Sequence, residues 1–352
     1  MEQVYAGAVG RVHVSAPEVH VDNEARGRSG HMSHAMVELA PGRVLAFNSN
    51  CSALRLAGHA AYGWIEYRTS EDYGRTWGEI HELACSKQVL LDGLHTYSLE
   101  KAVFVDGVIT AAICHNDQLV PISCEPWAEP LCIQSFDLGK TWTEPVRLSP
   151  WAGRVYDMVA RDRVIYALEL CNPNFVAKGP EDLYRLLVSR DNGRSFRFES
   201  IVDIDTLEHA YGALQFREDG SLVAYACNII DGHRLSASVS RDGGRHWAPQ
   251  PDIVLTEGIR NVQVTPLGCG YVMHGRGFRH TPGGKGLVLY TSRDGLEWDD
   301  GLLLEPDKMM CYYSNSLRMG DGRVLMQYSE TYTKENARHN AVNVMHRFLA
   351  VE

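Results

Sequence analysis

No run of about 18 apolar residues occurs anywhere in the chain, so no membrane-spanning helix is expected. The start, MEQVYAGAVGRVHV, lacks both the basic and the apolar stretch of a secretory signal. Cations are in deficit: 34 Lys and Arg against 44 Asp and Glu give a net charge of -10. That argues against a general nucleic-acid surface, which needs clustered cations to displace counterions from phosphates. The nine cysteines are scattered without a CxxC pair and read as free thiols of a reducing compartment. The expectation is a cytoplasmic protein, with secretion the alternative if a signal has been removed. There is no GxSxG elbow, phosphate loop or dinucleotide fingerprint; Gly275-Arg276-Gly277 and Gly283-Gly284 read as turn glycines. No cofactor is expected. His31 and His34 stand three apart at an expected strand entry, unlike the helical HExxH arrangement, so no metal site is assigned. Histidines 31, 34, 59, 95, 115, 209 and 274 remain able to converge in space. No segment of useful length has a helical period.

What is present is a repeat. Ser70-Glu71-Asp72-Tyr73-Gly74-Arg75-Thr76-Trp77 returns as Ser135-Phe136-Asp137-Leu138-Gly139-Lys140-Thr141-Trp142 and as Ser189-Arg190-Asp191-Asn192-Gly193-Arg194-Ser195-Phe196. It returns again as Ser240-Arg241-Asp242-Gly243-Gly244-Arg245-His246-Trp247 and, one residue shorter, as Ser292-Arg293-Asp294-Gly295-Leu296-Glu297-Trp298. These are hairpin turns in which Asp and Ser bond nearby amides, Gly takes a positive φ and the aromatic residue tucks beneath. The five aspartates are therefore expected to stabilise turns rather than to catalyse. Their separations of 65, 54, 51 and 52 residues match one four-stranded propeller blade each. A sixth blade without a box is expected from the alternating stretch Cys311–Glu330 and the strand-like Ala341–Val351. The strand-like segment Val4–Val14 is expected to pair with that blade and close the ring. Residues 1–352 then form one all-β domain, a six-bladed β-propeller with Asp-box turns; 45% hydrophobic residues suffice for a core of that size.

The SxDxGxTW boxes resemble those of the sialidases and their six- and seven-bladed glycosidase and lyase relatives, over roughly residues 30 to 352. The likeness is specific for fold and weak for function, because boxes lie at the periphery and one scaffold serves many chemistries.

A propeller's site lies at one mouth of the axis, where the innermost strands begin. Tight turns such as Pro41-Gly42, Asp106-Gly107, Asp162-Arg163, Asp219-Gly220 and Asp321-Gly322 mark the far ends of those strands. Counting back about one strand length reaches Ser33 and His34, His95 and Tyr97, Tyr156 and Asp157, Glu208 to Tyr211, Arg260 and Asn261, and Tyr313. Second-strand ends add His274, Arg276, Glu169 and Glu330. A polar residue at a strand end ordinarily just meets water; six at a similar register point to a pocket.

The resemblance implies three arginines around a carboxylate, a Tyr nucleophile activated by Glu, and an Asp acid/base. Tyr313-Ser314-Asn315-Ser316-Leu317 with Asp321-Gly322 looks like the segment carrying the sialidase Tyr, which puts Tyr313 in the nucleophile register. The rest departs: Met32-Ser33-His34-Ala35-Met36 replaces an Arg-Ile-Pro run, Tyr211 stands where the Glu belongs, Cys227 where the second arginine belongs, and His59 near the acid/base Asp. The chain is therefore not expected to be a true sialidase. The leading expectation is an exo-acting glycoside hydrolase on an oligosaccharide chain end. Tyr313, His34, Glu208, Tyr211, His59 and Asp157 are its catalytic candidates; Arg260, Arg276, His95, Tyr97, Tyr156, Asn261, His274 and Glu330 are its substrate-binding candidates. The alternatives are a uronate-directed lyase using Tyr or His with Arg, and a non-catalytic glycan-binding propeller.

Overall fold

The computed structural model describes residues 2–53, 63–93, 95–117, 128–172, 179–278, 286–305, 311–332 and 341–352. Side chains are described for all of these except residues 117, 311 and 312. Six antiparallel sheets form six blades. Their innermost strands are His34–Ala40, His95–Val105, Arg154–Arg161, His209–Phe216, Arg260–Leu267 and Cys311–Arg318. Each of these packs against the next, and the sixth against the first, which closes the ring. The second strands read as apolar runs, RVLAF, VITAAI, VIYAL and LVAYA among them, because both of their faces are covered by neighbouring blades.

The last blade is assembled from both ends of the chain. Val342–Val351 pairs inward with Val324–Thr331 and outward with Gly10–Val14, Val12 lying opposite Val351 and Val14 opposite Leu349. Gln3–Gly7 adds a further strand outside that one, while Glu18–Val21 pairs with the other half of Val342–Val351. An edge that would otherwise offer unpaired amides is thereby occupied.

Four of the five box turns share one geometry. In the first, Ser70 Oγ accepts from Gly74 N at 2.8 Å, and Asp72 accepts from Thr76 N at 2.8 Å and from Thr76 Oγ1 at 2.6 Å. Gly74 takes a φ of 80°, which only glycine adopts without cost. Trp77, Trp142, Phe196, Trp247 and Trp298 tuck against the core. The short box is closed by Ser292 Oγ and Gly295 N and by Asp294 with the amides of Leu296 and Glu297.

One element departs from the sequence reading. Ala84–Asp92 is a helix, ended by Gly93 at φ 77°. It buries Ser86 and leaves Leu91 73% exposed, so it has no apolar stripe for a periodicity search to find. Ser86 holds it in place, donating to Leu83 O and accepting from Ile65 N.

Candidate functional site

The innermost strands are not regular where they approach the cavity. In blade two the ladder passes from Ala112 opposite Lys101 to Ile113 opposite Leu99, which leaves Glu100 without a cross-strand partner. Tyr156 is skipped in the same way in blade three and Tyr211 in blade four. Blade five carries an extra residue across Asn261 and Val262, and blade six one across Tyr312 and Tyr313. A β-bulge turns one side chain out of the alternating pattern. Here Glu100, Tyr156, Tyr211, Asn261 and Tyr313 all line one axial cavity. Tyr211 and Asn261 have φ near 60°, a conformation of non-glycine residues that concentrates at working sites. Blade one has its bulge at Leu39, at the other end of the strand, and gives the cavity Ser33 and His34 from the strand entry.

The cavity has a volume of about 20 Å³, enough for roughly one water-sized group. At its base Arg154, wholly buried, donates through Nε at 3.0 Å and Nη2 at 2.7 Å to Glu100 Oε2. Nη2 also donates to Ser33 Oγ at 3.0 Å, and Ser33 donates to Glu100 Oε2 at 2.9 Å. Nη1 donates to Tyr313 Oη at 3.1 Å. Burial alone would push the Arg154 guanidinium down; the Glu100 carboxylate outweighs it and holds it above its ordinary range. The rings of Tyr156 and Tyr313 flank the same guanidinium, 5.0 and 5.1 Å from its carbon. Tyr211 meets Tyr156 and Tyr313 edge-on. Burial raises the Tyr156 phenol well above its usual range.

Beside this cluster lies a second one. Lys101 Nζ is 3.1 Å from Asp157 Oδ1 and donates to Gln263 Oε1 at 2.7 Å and Asn315 Oδ1 at 3.1 Å. Asp157 also accepts from the amides of Met158 and Leu214, so one carboxylate ties blades two, three and four together. Burial pushes the Asp157 carboxyl up against the pull of Lys101.

Five of the sequence candidates, Tyr313, His34, Tyr211, Tyr156 and Asn261, therefore meet in the cavity. The others lie elsewhere. Asp157 is engaged as described. Glu208 is exposed, outside the cavity lining, at φ 60°. His274 is enclosed by Ser314 Oγ at 2.8 Å and Ser316 Oγ at 2.6 Å. His95 and Tyr97 each meet His115 edge-on, with ring centroids 4.4 and 5.2 Å apart. Arg260 donates to Ile229 O at 2.5 Å and lies over Phe278, with Arg276 opposite it across the ladder. Glu330 is buried at the end of its strand, 3.5 Å from Tyr328 Oη. Glu169 is buried against Ser149, its carboxyl pushed up to about 7 by burial. His59 is outside the described residues. Glu100, Lys101 and Arg154 went unrecognised in the sequence; charged residues inside otherwise apolar inner strands were the available signal. Among the described residues no group of three or more His, Cys, Asp or Glu is placed to hold a metal ion.

No family model and no curated protein matches the sequence. Solved structures do match. A protein of unknown function from Dyadobacter fermentans superposes with a TM-score of 0.74 at 14% identity, over 97% of this chain and 99% of that one. The NanB sialidase of Streptococcus pneumoniae gives 0.65 at 11% identity, over 95% of this chain and 70% of that one. The chain has the sialidase-like fold, a ring of six blades. The sialidase of Trypanosoma rangeli adds a TM-score of 0.61 at 14% identity, over 91% of this chain and 55% of that one. At such identities the likeness concerns the sialidase-like fold, and the chemistry has to be argued from the cavity.

Proposed function

We propose that this sialidase-like propeller is a carbohydrate-active enzyme, an exo-acting glycoside hydrolase whose active site is the axial cavity. The observation that carries the reading is the bond from Arg154 Nη1 to Tyr313 Oη, on a guanidinium fixed by Glu100 and Ser33. Negative charge that develops on Oη, as its proton passes through solvent to the departing glycosidic oxygen, is met by a preorganised cation, which favours the phenol as nucleophile. Among the described lining residues Glu100 is the one carboxylate, and it is engaged by Arg154. A two-carboxylate mechanism is thus less well supported than one centred on Tyr313. The narrow base accepts a single substituent, which favours a chain end over an internal residue.

The scarcity of carboxylates also favours a second reading, a lyase in which Tyr313 takes a proton beside a uronate carboxylate. Both are tested on aryl glycosides and oligosaccharides, with released aglycone or reducing ends reporting hydrolysis and absorbance of an unsaturated uronate reporting elimination. Tyr313→Phe keeps the ring and removes the hydroxyl. A fall in turnover of about a hundredfold or more with an unchanged melting temperature is expected. Near-normal turnover would reduce Tyr313 to a packing residue, and silence in both assays across the substrate set would leave a glycan-binding propeller.

A further inference from the structure

His34 is 1% exposed and lines the axial cavity, and its Nδ1 has no hydrogen-bond partner among the described residues. A buried nitrogen in that position loses its hydration without compensation unless something else fills the role. Its other nitrogen settles what Nδ1 is. Nε2 lies 2.8 Å from Ser329 Oγ, and Ser329 Oγ donates to Gly30 O at 2.6 Å. A serine hydroxyl has one proton, and here it goes to Gly30, so towards His34 the oxygen acts as acceptor. Nε2 therefore carries the hydrogen, and Nδ1 presents a bare lone pair. Burial, then the charge of nearby His31, holds the ring down to about 3, so it stays neutral at physiological pH. The His34 carbonyl is in turn bonded by Asn315 Nδ2.

The remaining groups at the base do not welcome an anion. Arg154 is the one Arg or Lys among the described lining residues, and its Nε and Nη2 donors are turned to Glu100 and Ser33. Three tyrosine rings and the amides of Asn261 and Gln263 supply much of the rest. A carboxylate entering this space would set its lone pairs against the Nδ1 lone pair and find the Arg154 donors already given to Glu100, Ser33 and Tyr313. A hydroxyl would donate to Nδ1 and lose nothing.

Resting on the carbohydrate reading, we infer that His34 is the residue that selects the substrate, accepting a hydroxyl of a neutral terminal sugar. The sugar enters hydroxyl first; uronic and sialic acids, whose carboxylates would take that place, are rejected. On this account the site differs from a uronate lyase in what it recognises, whatever bond it breaks.

Two measurements on the intact protein test this. Nitrogen-15 spectra of labelled histidine should show His34 as the Nε2–H tautomer at neutral pH; a protonated Nδ1 would overturn the inference outright. Saturation-transfer binding is then measured for glucose, galactose and N-acetylglucosamine against glucuronate, galacturonate and N-acetylneuraminate. At least one neutral sugar should bind more tightly than its acidic counterparts. His34→Gln, which keeps a donor for Ser329 but removes the Nδ1 acceptor, should weaken that sugar about tenfold or more. His34→Asn, which keeps an acceptor near the Nδ1 position, should retain more of the affinity than His34→Gln. Tighter binding of the acids, or a neutral sugar indifferent to His34→Gln, would overturn the inference and leave the carbohydrate reading standing. Failure of all six sugars to bind would remove the carbohydrate reading and the inference with it.

Discussion

Arg154 Nη2 lies 2.7 Å from Glu100 Oε2 on the propeller axis, joining blades two and three through side chains that are 0% and 3% exposed. A buried pair of this kind gains little over an apolar pair, but breaking one half leaves a charge stranded. Glu100→Gln should cost about 3–5 kcal/mol and lower the melting temperature accordingly. Adding Arg154→Met to Glu100→Gln should recover part of that loss, so a double-mutant cycle by chemical denaturation should show strong coupling. Additive losses would mean that the two side chains do not stabilise each other.

The box aspartates should respond to acid. The Thr141 hydroxyl first, then its amide, hold the Asp137 carboxyl down to about 2, and Thr76 does the same for Asp72. With the folded value depressed, this stabilisation is complete above the unfolded value of about 4 and is lost as pH falls through about 2. Asp137→Ala should therefore lower the melting temperature at neutral pH and make little difference near pH 2, with turnover unchanged throughout. Thermal melts at both pH values, and loss of turnover in a stably folded variant, decide against the turn role if they go the other way.

His20 points to a second pH response. Both of its ring nitrogens are buried without a hydrogen bond among the described residues, while its ring meets Trp77 edge-on at 4.4 Å. Burial, then the charge of His346, drives its protonation well below the ordinary range; burial acts the same way on His34 and His274, which come down to about 3. A depressed histidine contributes stability that is present above the unfolded value of about 6.5 and is lost as pH falls. The melting temperature should decline from about pH 7.5 to about pH 5. His20→Phe, which removes the two unpaired nitrogens, should raise stability by about 1–2 kcal/mol and flatten that decline. A steeper decline in the variant would show that the ring is hydrogen-bonded in solution.

The architecture was readable because a blade announces itself locally. Each box needs Ser, Asp, Gly and an aromatic residue at fixed offsets, and five boxes at four near-even spacings convert directly into five blades. The site was half readable for an equally physical reason. Counting about one strand length back from Asp162-Arg163 or Asp219-Gly220 reached Tyr156 and Tyr211. It gave no hint that these residues, with Glu100 between two residues that do pair, are supernumerary in their ladders. Nor did polarity alone separate Tyr313, which faces Arg154, from His274, which spends both nitrogens on serines of the neighbouring strand. The helix Ala84–Asp92 escaped because its contact with the blade runs through Ser86 and the half-buried Cys85 in its first turn rather than along an apolar stripe.

Because each bulged residue is the odd one in its ladder, deletion and substitution have different meanings here. Replacing Tyr156 changes a side chain and leaves the kink. Removing it brings Val155 and Asp157 into the consecutive register that their partners Glu169 and Leu168 already keep. The scaffold can therefore lose a functional group by becoming more regular, and gain one by a single inserted codon, without any blade surrendering its pairing. Chemistry in such a ring is carried by insertions, so relatives that share the propeller while differing by one residue in an inner strand are the ones to examine for a different substrate.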